Sequence, residues 1–313
     1  GYTAAEFKTT FYQLANNDLV VGGQVYGVPL MFDGLALYYN EDLLRAAGIT
    51  PPVSWEDFRT AALALTVKDS AGKIVTAGAA LGTTSNVEHF SDILALMMLQ
   101  NGVNLNKPTG PEAQQALSFY RLFAEPPNNV WDASMENSIE AFANRRVAFL
   151  FAPSWQVFTI RDTNPQLKFQ IIPVPQLVGT NVTWGSYWAE GVSSKSKHPD
   201  EAWDFLKFLS RKESMVKLYS EEAKIRVFGE PYSRVDLAST LDKDPFVGAY
   251  LQEAPTAQSF PLSGRTFDAG INDGMIKYLE DAVNSQGSGV SAEAALATMA
   301  QGFAQVLGRY SGK

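Results

Sequence analysis

Short apolar runs alternate with amphipathic helical patterns along most of the chain, and this alternation constrains the fold more than any other feature. Residues 54–57 (Ser-Trp-Glu-Asp) have the spacing of a helix capping box, and apolar residues follow at helical spacing. Residues 76–81, 146–152 and 169–174 are apolar enough to form buried strands. The alternation predicts α/β architecture.

Further helices are expected downstream. Residues 93–99 are apolar all round, which is typical of a buried helix, and Asn101-Gly102 would end it. Pro199 suits the first position of another helix, whose buried stripe would be Ala202, Phe205, Leu206 and Leu209. Two C-terminal helices, separated by a flexible turn at 285–289, carry the apolar positions Ile271, Met275 and Leu279, and, after a Ser291 cap, Leu296, Met299, Phe303 and Val306.

The length and charge of the chain limit the classes of protein to which it can belong. A chain of 313 residues can form about two domains. The 33 acidic residues outnumber the 25 basic ones, for a net charge of -8, and no basic face for a phosphate backbone is visible. Because of this acidic excess we expect no nucleic-acid partner. No apolar run reaches the length of a membrane span.

Cysteine and histidine are too scarce for several kinds of chemistry. The chain has no cysteine, which excludes disulfides, thiolate metal sites and cysteine nucleophiles. It has two histidines, His89 and His198, too few for a histidine-rich metal site. We expect no metal and no cofactor.

Residues 26–40 read as a strand, a loop and a second strand. Asp33 is the single charge between the two apolar runs. A carboxylate in that position either caps the loop or contacts a ligand. The residues alone leave both interpretations open.

Four segments in order resemble one known family. They are YGVPL at 26–30 with LYYNEDL at 37–43, WEDF at 55–58, RVAFLFAPSW at 146–155 and GVSSKSKHPDEAWDFLKFL at 191–209. They run from residue 26 to residue 209, in the order and at the spacing of the family. The sequence is similar to the extracellular solute-binding proteins of ABC importers, in the carbohydrate-binding, maltose-binding-protein-like branch.

The resemblance implies a two-lobed periplasmic-binding-protein fold of type II, with discontinuous lobes and a hinge. The N-terminal lobe would hold residues 1–34 and 189–240, and the C-terminal lobe 35–188 and 241–313. Family members carry βαβ units ahead of the segment that matches Tyr26, whereas only 25 residues precede it here. We therefore expect an N-terminal lobe that is incomplete.

The implied function is capture of a sugar or oligosaccharide between the lobes for delivery to the membrane permease of an ABC importer. The resemblance implies binding without chemistry, by a monomer located in the periplasm or at the cell surface, with a lipid anchor on a removed N-terminus as one form of attachment. Two other classes stay open: a ligand-sensing module for a membrane receptor, and a carbohydrate-active hydrolase that would use Asp33 and Glu190.

By family position, Trp155 would be the aromatic platform on which a sugar stacks; the alternative is a core tryptophan under a helix. Asp33 lies at the first crossover, where an acidic residue would accept sugar hydroxyls. Tyr187, Trp188 and Glu190 lie at the second crossover and are further candidate contacts.

Three weaker candidates complete the predicted ligand site. Asn86 and His89 lie in a polar loop that follows a strand, so their side chains could face the ligand; the alternative is that Ser85 or Asn86 caps a helix. Phe267 matches a late aromatic residue of the family's site more loosely.

Overall fold

The computed structural model describes residues 1–264 and 270–310, and the chain forms two compact units. Unit 1 comprises Gly1–Ala36 and Thr183–Ser259, and unit 2 comprises Leu37–Val182 and the chain from Phe260 onward. The lobe boundaries expected from the resemblance fall after residues 34, 188 and 240. The two compact units of the structure meet along the chain between 36 and 37, between 182 and 183 and between 259 and 260.

The elements are numbered in chain order. The strands are β1 (Val20–Val21), β2 (Gln24–Val25), β3 (Val28–Pro29), β4 (Asp33–Gly34), β5 (Ala36–Asn40), β6 (Val67–Lys68), β7 (Ile74–Ala79), β8 (Val147–Ala152), β9 (Phe169–Ile172), β10 (Thr183–Ser186), β11 (Ala189–Glu190) and β12 (Ala257–Gln258). The α-helices are α1 (Ala4–Thr10), α2 (Gln13–Leu19), α3 (Glu41–Ala47), α4 (Trp55–Leu65), α5 (Phe90–Gln100), α6 (Pro111–Leu122), α7 (Ser138–Ala143), α8 (Gln156–Thr163), α9 (Pro199–Leu209), α10 (Lys212–Glu222), α11 (Gly248–Glu253), α12 (Ile271–Gly287) and α13 (Ala292–Gly308).

Unit 1 is built on short strands. β10 lies between β12, to which it runs parallel, and β4, to which it runs antiparallel. This pairing explains the crossing at 182–183, because β10 forms its ladder with strands of unit 1. The approach of β4 to β10 requires a glycine at position 34, since a Cβ there would overlap the carbonyl oxygen of Trp184.

The core of unit 1 is a small aromatic cluster. Phe7, Phe11, Ala15, Val28 and Leu206 form its buried centre. Pro199 is the first residue of α9, as predicted, but of the predicted buried stripe only Leu206 is fully buried, whereas Ala202 and Leu209 are half-buried. Phe205 is 58% exposed, and Leu206 is the buried residue of this helix.

Unit 2 contains the larger sheet, with the strand order β6-β7-β8-β5-β9. β7 and β8 run parallel, whereas β6 pairs antiparallel with β7 and β9 pairs antiparallel with β5. All six residues of β8 are buried. A fully apolar strand of this kind needs cover on both faces.

The helices of unit 2 follow the predicted patterns closely. Ser54 accepts a hydrogen bond from the backbone N–H of Asp57 and so caps α4. Ser291 caps α13 in the same way. The predicted turn at 285–289 is wrong in its first half, because α12 continues to Gly287. No helix in the described part of the chain combines the length and apolar composition needed to cross a membrane.

Candidate functional site

Two loops of unit 2 meet at one edge of its sheet. β7 and β8 are parallel neighbours, so their carboxyl ends lie at the same edge. The loop after β7 leads to His89 at the start of α5, and the turn after β8 leads to Trp155 at the start of α8. The two rings are in contact, with centroids 5.7 Å apart and an interplanar angle of 76°. Carboxyl ends of parallel strands are where α/β proteins usually bind ligands.

Trp155 is a large apolar side chain in a partly exposed position, with 43% of its surface accessible. Two hydrogen bonds fix the turn that carries this side chain. The buried Tyr38 hydroxyl donates to the carbonyl of Pro153 at 2.9 Å, and the N–H of Val157 donates to the carbonyl of Ser154 at 3.0 Å. The ring is therefore presented on a rigid base, and the alternative of a core tryptophan does not apply.

His89 does not lie on the surface. Its side chain is 1% exposed, and it packs between its own helix and the start of α8. The expectation that this side chain faces a ligand is wrong, because its two ring nitrogens face the buried side chains of Asp92 and Gln156.

Asn86 is also buried, and its amide is fully used within unit 2. Its Nδ2 donates to the carbonyls of Asp132 and Met135 at 3.0 and 2.9 Å. Its Oδ1 accepts from the Thr83 hydroxyl at 2.5 Å and from the indole N–H of Trp131 at 3.0 Å. Four hydrogen bonds saturate an amide of this kind. Asn86 therefore holds the loop together and has no group to offer a ligand, contrary to the sequence-based expectation.

Asp33 lies in unit 1, in strand β4 and not in a loop. It is 4% exposed, and its backbone pairs with Ser186 of β10. Its Oδ1 accepts the N–H of Gly34 at 2.8 Å. A carboxylate oxygen is a hydrogen-bond acceptor.

Tyr187 directs its hydroxyl to another carboxylate of unit 1. The hydroxyl donates to Oδ2 of Asp18 at 2.8 Å, and the hydroxyl of Ser259 donates to the same oxygen at 2.7 Å. Burial, and then the charge and hydrogen bond of Asp18, raise the pKa of the Tyr187 hydroxyl above its usual range. Tyr187 stays protonated at neutral pH. Sequence reasoning missed Asp18 because a lone acid on a short polar helix carries no signal of its own.

Trp188 and Glu190 are exposed on the next segment of unit 1. Trp188 has 60% of its surface accessible. Glu190 lies in β11, which pairs antiparallel with β3 and brings Glu190 opposite Val28. Both side chains are available to a ligand, and their contact with one stays a prediction.

Two further points limit the candidate site. Phe267 lies outside the described residues. Within residues 1–264 and 270–310, no group of three or more histidine, cysteine, aspartate or glutamate side chains is placed to hold a metal ion.

Comparisons with known proteins agree with this architecture. A family model described as bacterial extracellular solute-binding protein matches residues 4–225. A binding protein of Brucella abortus (strain 2308) is 25% identical over 241 residues, which are 72% of this chain and 56% of that protein. A multiple sugar-binding protein of Streptococcus mutans is 26% identical over 220 residues, 65% of this chain and 51% of that protein. The chain spans about half the length of the curated relatives it matches.

A solved structure provides the comparison of folds. An ABC transporter solute-binding protein from Thermotoga lettingae, bound with α-D-tagatose, superposes with a TM-score of 0.71 at 19% sequence identity, covering 97% of this chain and 78% of that chain. This likeness confirms the predicted α/β fold of the periplasmic-binding-protein type.

Proposed function

The chain belongs to the bacterial extracellular solute-binding protein family, and from that premise we propose that it binds a carbohydrate outside the cytoplasm and delivers it to the membrane permease of an ABC importer. The sugar is released chemically unchanged. The protein acts as a monomer, in the periplasm or held at the cell surface by a lipid anchor.

The exposure of Trp155 is the observation that carries this proposal. The indole of Trp155 is held on a rigid turn with almost half of its surface accessible. Packing of the fold does not require a large apolar side chain to be exposed in this way, whereas a binding surface does. Pyranose rings present C–H faces, and an aromatic face offers them apolar contact. The same edge of the sheet holds the strand ends where α/β proteins place their ligands.

Unit 1 carries polar and aromatic candidate contacts of its own. Sugar hydroxyls need hydrogen-bond acceptors, and the carboxylate of Asp33 is one. Trp188 is a second exposed indole, and Glu190 and Tyr187 lie beside it in sequence. We propose Asp33, Trp155, Trp188, Tyr187 and Glu190 as the residues that contact the sugar.

The comparisons support a carbohydrate in preference to other solutes. The Streptococcus mutans relative is named for binding multiple sugars, and the Thermotoga lettingae structure contains a monosaccharide. The excess of acidic residues over basic ones also disfavours a phosphorylated ligand.

Thermal unfolding against a panel of mono-, di- and oligosaccharides tests the proposal. A sugar present at one hundred times its Kd should stabilise the folded protein by about 2.7 kcal/mol, which raises the unfolding midpoint. Trp155→Ala should abolish the rise by removing the stacking surface, and Asp33→Asn should reduce it by removing a charged acceptor. Chromatography of the released ligand should return the sugar intact.

Phe205→Ala is the matched control, because it removes an exposed aromatic side chain that belongs to unit 1, whereas Trp155 belongs to unit 2. This variant should keep the full ligand-induced rise. The carbohydrate assignment fails if no sugar shifts the midpoint of the wild-type protein. The assignment of Trp155 fails if Trp155→Ala shows the same shift as wild type.

A further inference from the structure

A buried polar trio adjoins the exposed indole of Trp155. His89, Asp92 and Gln156 are each less than 5% exposed. Nδ1 of His89 lies 3.4 Å from Oδ2 of Asp92, one turn along α5. Nε2 of His89 lies 3.3 Å from Nε2 of Gln156, the first residue of α8. The imidazole is thus held from two helices.

These contacts assign hydrogen-bonding roles to the two ring nitrogens of His89. An amide NH₂ group only donates, so Nε2 of His89 accepts from Gln156. Its Nδ1 then carries the proton and faces the carboxylate of Asp92. This arrangement fixes both the tautomer and the plane of the ring.

The fixed imidazole in turn meets the indole. The contact between His89 and Trp155 has the edge-to-face geometry that aromatic pairs prefer, at 5.7 Å and 76°. Gln156 directly follows Trp155, so its hydrogen bond to His89 also anchors the backbone beside the indole. Side chain and backbone of Trp155 are therefore both tied to one buried residue.

We propose that His89 is a positioning residue for Trp155: it sets the plane of the indole on which the sugar stacks, without touching the sugar. This inference rests on the proposed function. The burial of His89 excludes a direct contact in this conformation, and the ring contact gives it an indirect route to affinity. A stacking surface recognises a sugar face only in a defined orientation.

Two readouts on the same variants test this role, and one of them needs no sugar. The near-ultraviolet circular dichroism of Trp155 is obtained by subtracting the spectrum of Trp155→Phe, for the wild-type protein and separately in the His89→Ala background. We expect His89→Ala to reduce this difference spectrum, because the indole loses its fixed neighbour. We also expect this variant to bind the sugar about threefold to tenfold more weakly.

Rescue distinguishes positioning from general damage. His89→Phe keeps a ring against Trp155 and should recover part of both the spectrum and the affinity, whereas His89→Gln keeps polar atoms without a ring and should not. If His89→Ala fails to fold, the comparison of these two variants decides. His198→Ala, at the chain's other and exposed histidine, is the control and should change neither readout.

The outcomes separate the two proposals. An unchanged Trp155 spectrum in His89→Ala overturns the positioning role, and so does unchanged affinity when the spectrum has changed. If the wild-type protein binds no sugar, the proposed function is overturned. If His89→Ala still reduces the Trp155 spectrum in that case, His89 remains the residue that orients Trp155.

Discussion

Asn86 and Trp155 are held by different kinds of interaction. Asn86 is buried with four hydrogen bonds, so exchanging even one of its atoms changes the balance of donors and acceptors. Trp155 is fixed through its backbone and one ring contact, which leaves the indole surface free for a partner. Unit 2 therefore contains both a residue that stabilises the fold and a residue that is available for binding.

Asn86→Asp should lower the free energy of unfolding by about 1–3 kcal/mol or more, because a carboxylate oxygen would replace the NH₂ group that faces two carbonyls. Denaturant unfolding measures the change. Asn106→Asp makes the same exchange in an exposed loop and should cost little. Equal costs for the two variants would contradict the role given to Asn86.

At the scale of elements, the packing of a helix depends on which partner covers it. In α9, Leu206 enters the aromatic cluster of unit 1, whereas its neighbour Phe205 remains exposed. In unit 2, α12 and α13 approach so closely that Gly302 lies against the ring of Tyr278 and Gly274 lies against Val306. The packing of each helix therefore depends on the residue at a single position, such as Leu206 in α9 and Gly302 in α13.

Leu206→Ala should destabilise the protein by about 2–4 kcal/mol, since it leaves a cavity in the cluster. Phe205→Ala, one position earlier, should change stability by less than about 0.5 kcal/mol. Unfolding in urea compares the two variants. A larger loss for Phe205→Ala would show that its ring is covered in solution.

Gly302→Ala should destabilise the helix pair by about 1–3 kcal/mol, because the added methyl group would overlap the ring of Tyr278. Gly308→Ala is matched on the same helix and meets no atom within 4 Å. The gain in helix propensity should make that control neutral or slightly stabilising, by up to about 1 kcal/mol. Thermal melts of both variants would test the contrast, and a neutral Gly302→Ala would contradict the close packing.

At the scale of the whole molecule, stability is unevenly distributed. β8 is buried along its full length inside the sheet of unit 2. Apart from the four-residue β10, the strands within unit 1 have two residues each, and the β1–β2 pair lies at its surface. The free energy needed to unfold a segment locally rises with the apolar surface that the segment buries. Backbone amides of the two units should therefore differ in their protection from hydrogen exchange.

Hydrogen exchange followed by mass spectrometry should find the slowest backbone amides in Val147–Ala152 and fast exchange in 20–25. Peptides from each region serve as internal controls for the other. Protection of 20–25 equal to that of β8 would show that unit 1 is more stable than its short strands imply.

The sequence by itself determined the α/β class, the caps of α4 and α13 and the all-apolar strand β8, because capping, periodicity and hydrophobicity are local properties of the chain. The family was indicated by the resemblance of four segments. The resemblance to the family marked Trp155 as a candidate platform, and its contact with a sugar stays a prediction. Only the tertiary structure decided that His89 and Asn86 are buried, that Phe205 is exposed and that the chain changes unit at 182–183 and 259–260. Each of these depends on partners distant in sequence: α8 for His89, Trp131 for Asn86, the packing around α9 for Phe205, and the ladder of β10 with β4 and β12 for the crossings. A linear pattern records which residues are apolar or polar but not which surface covers them.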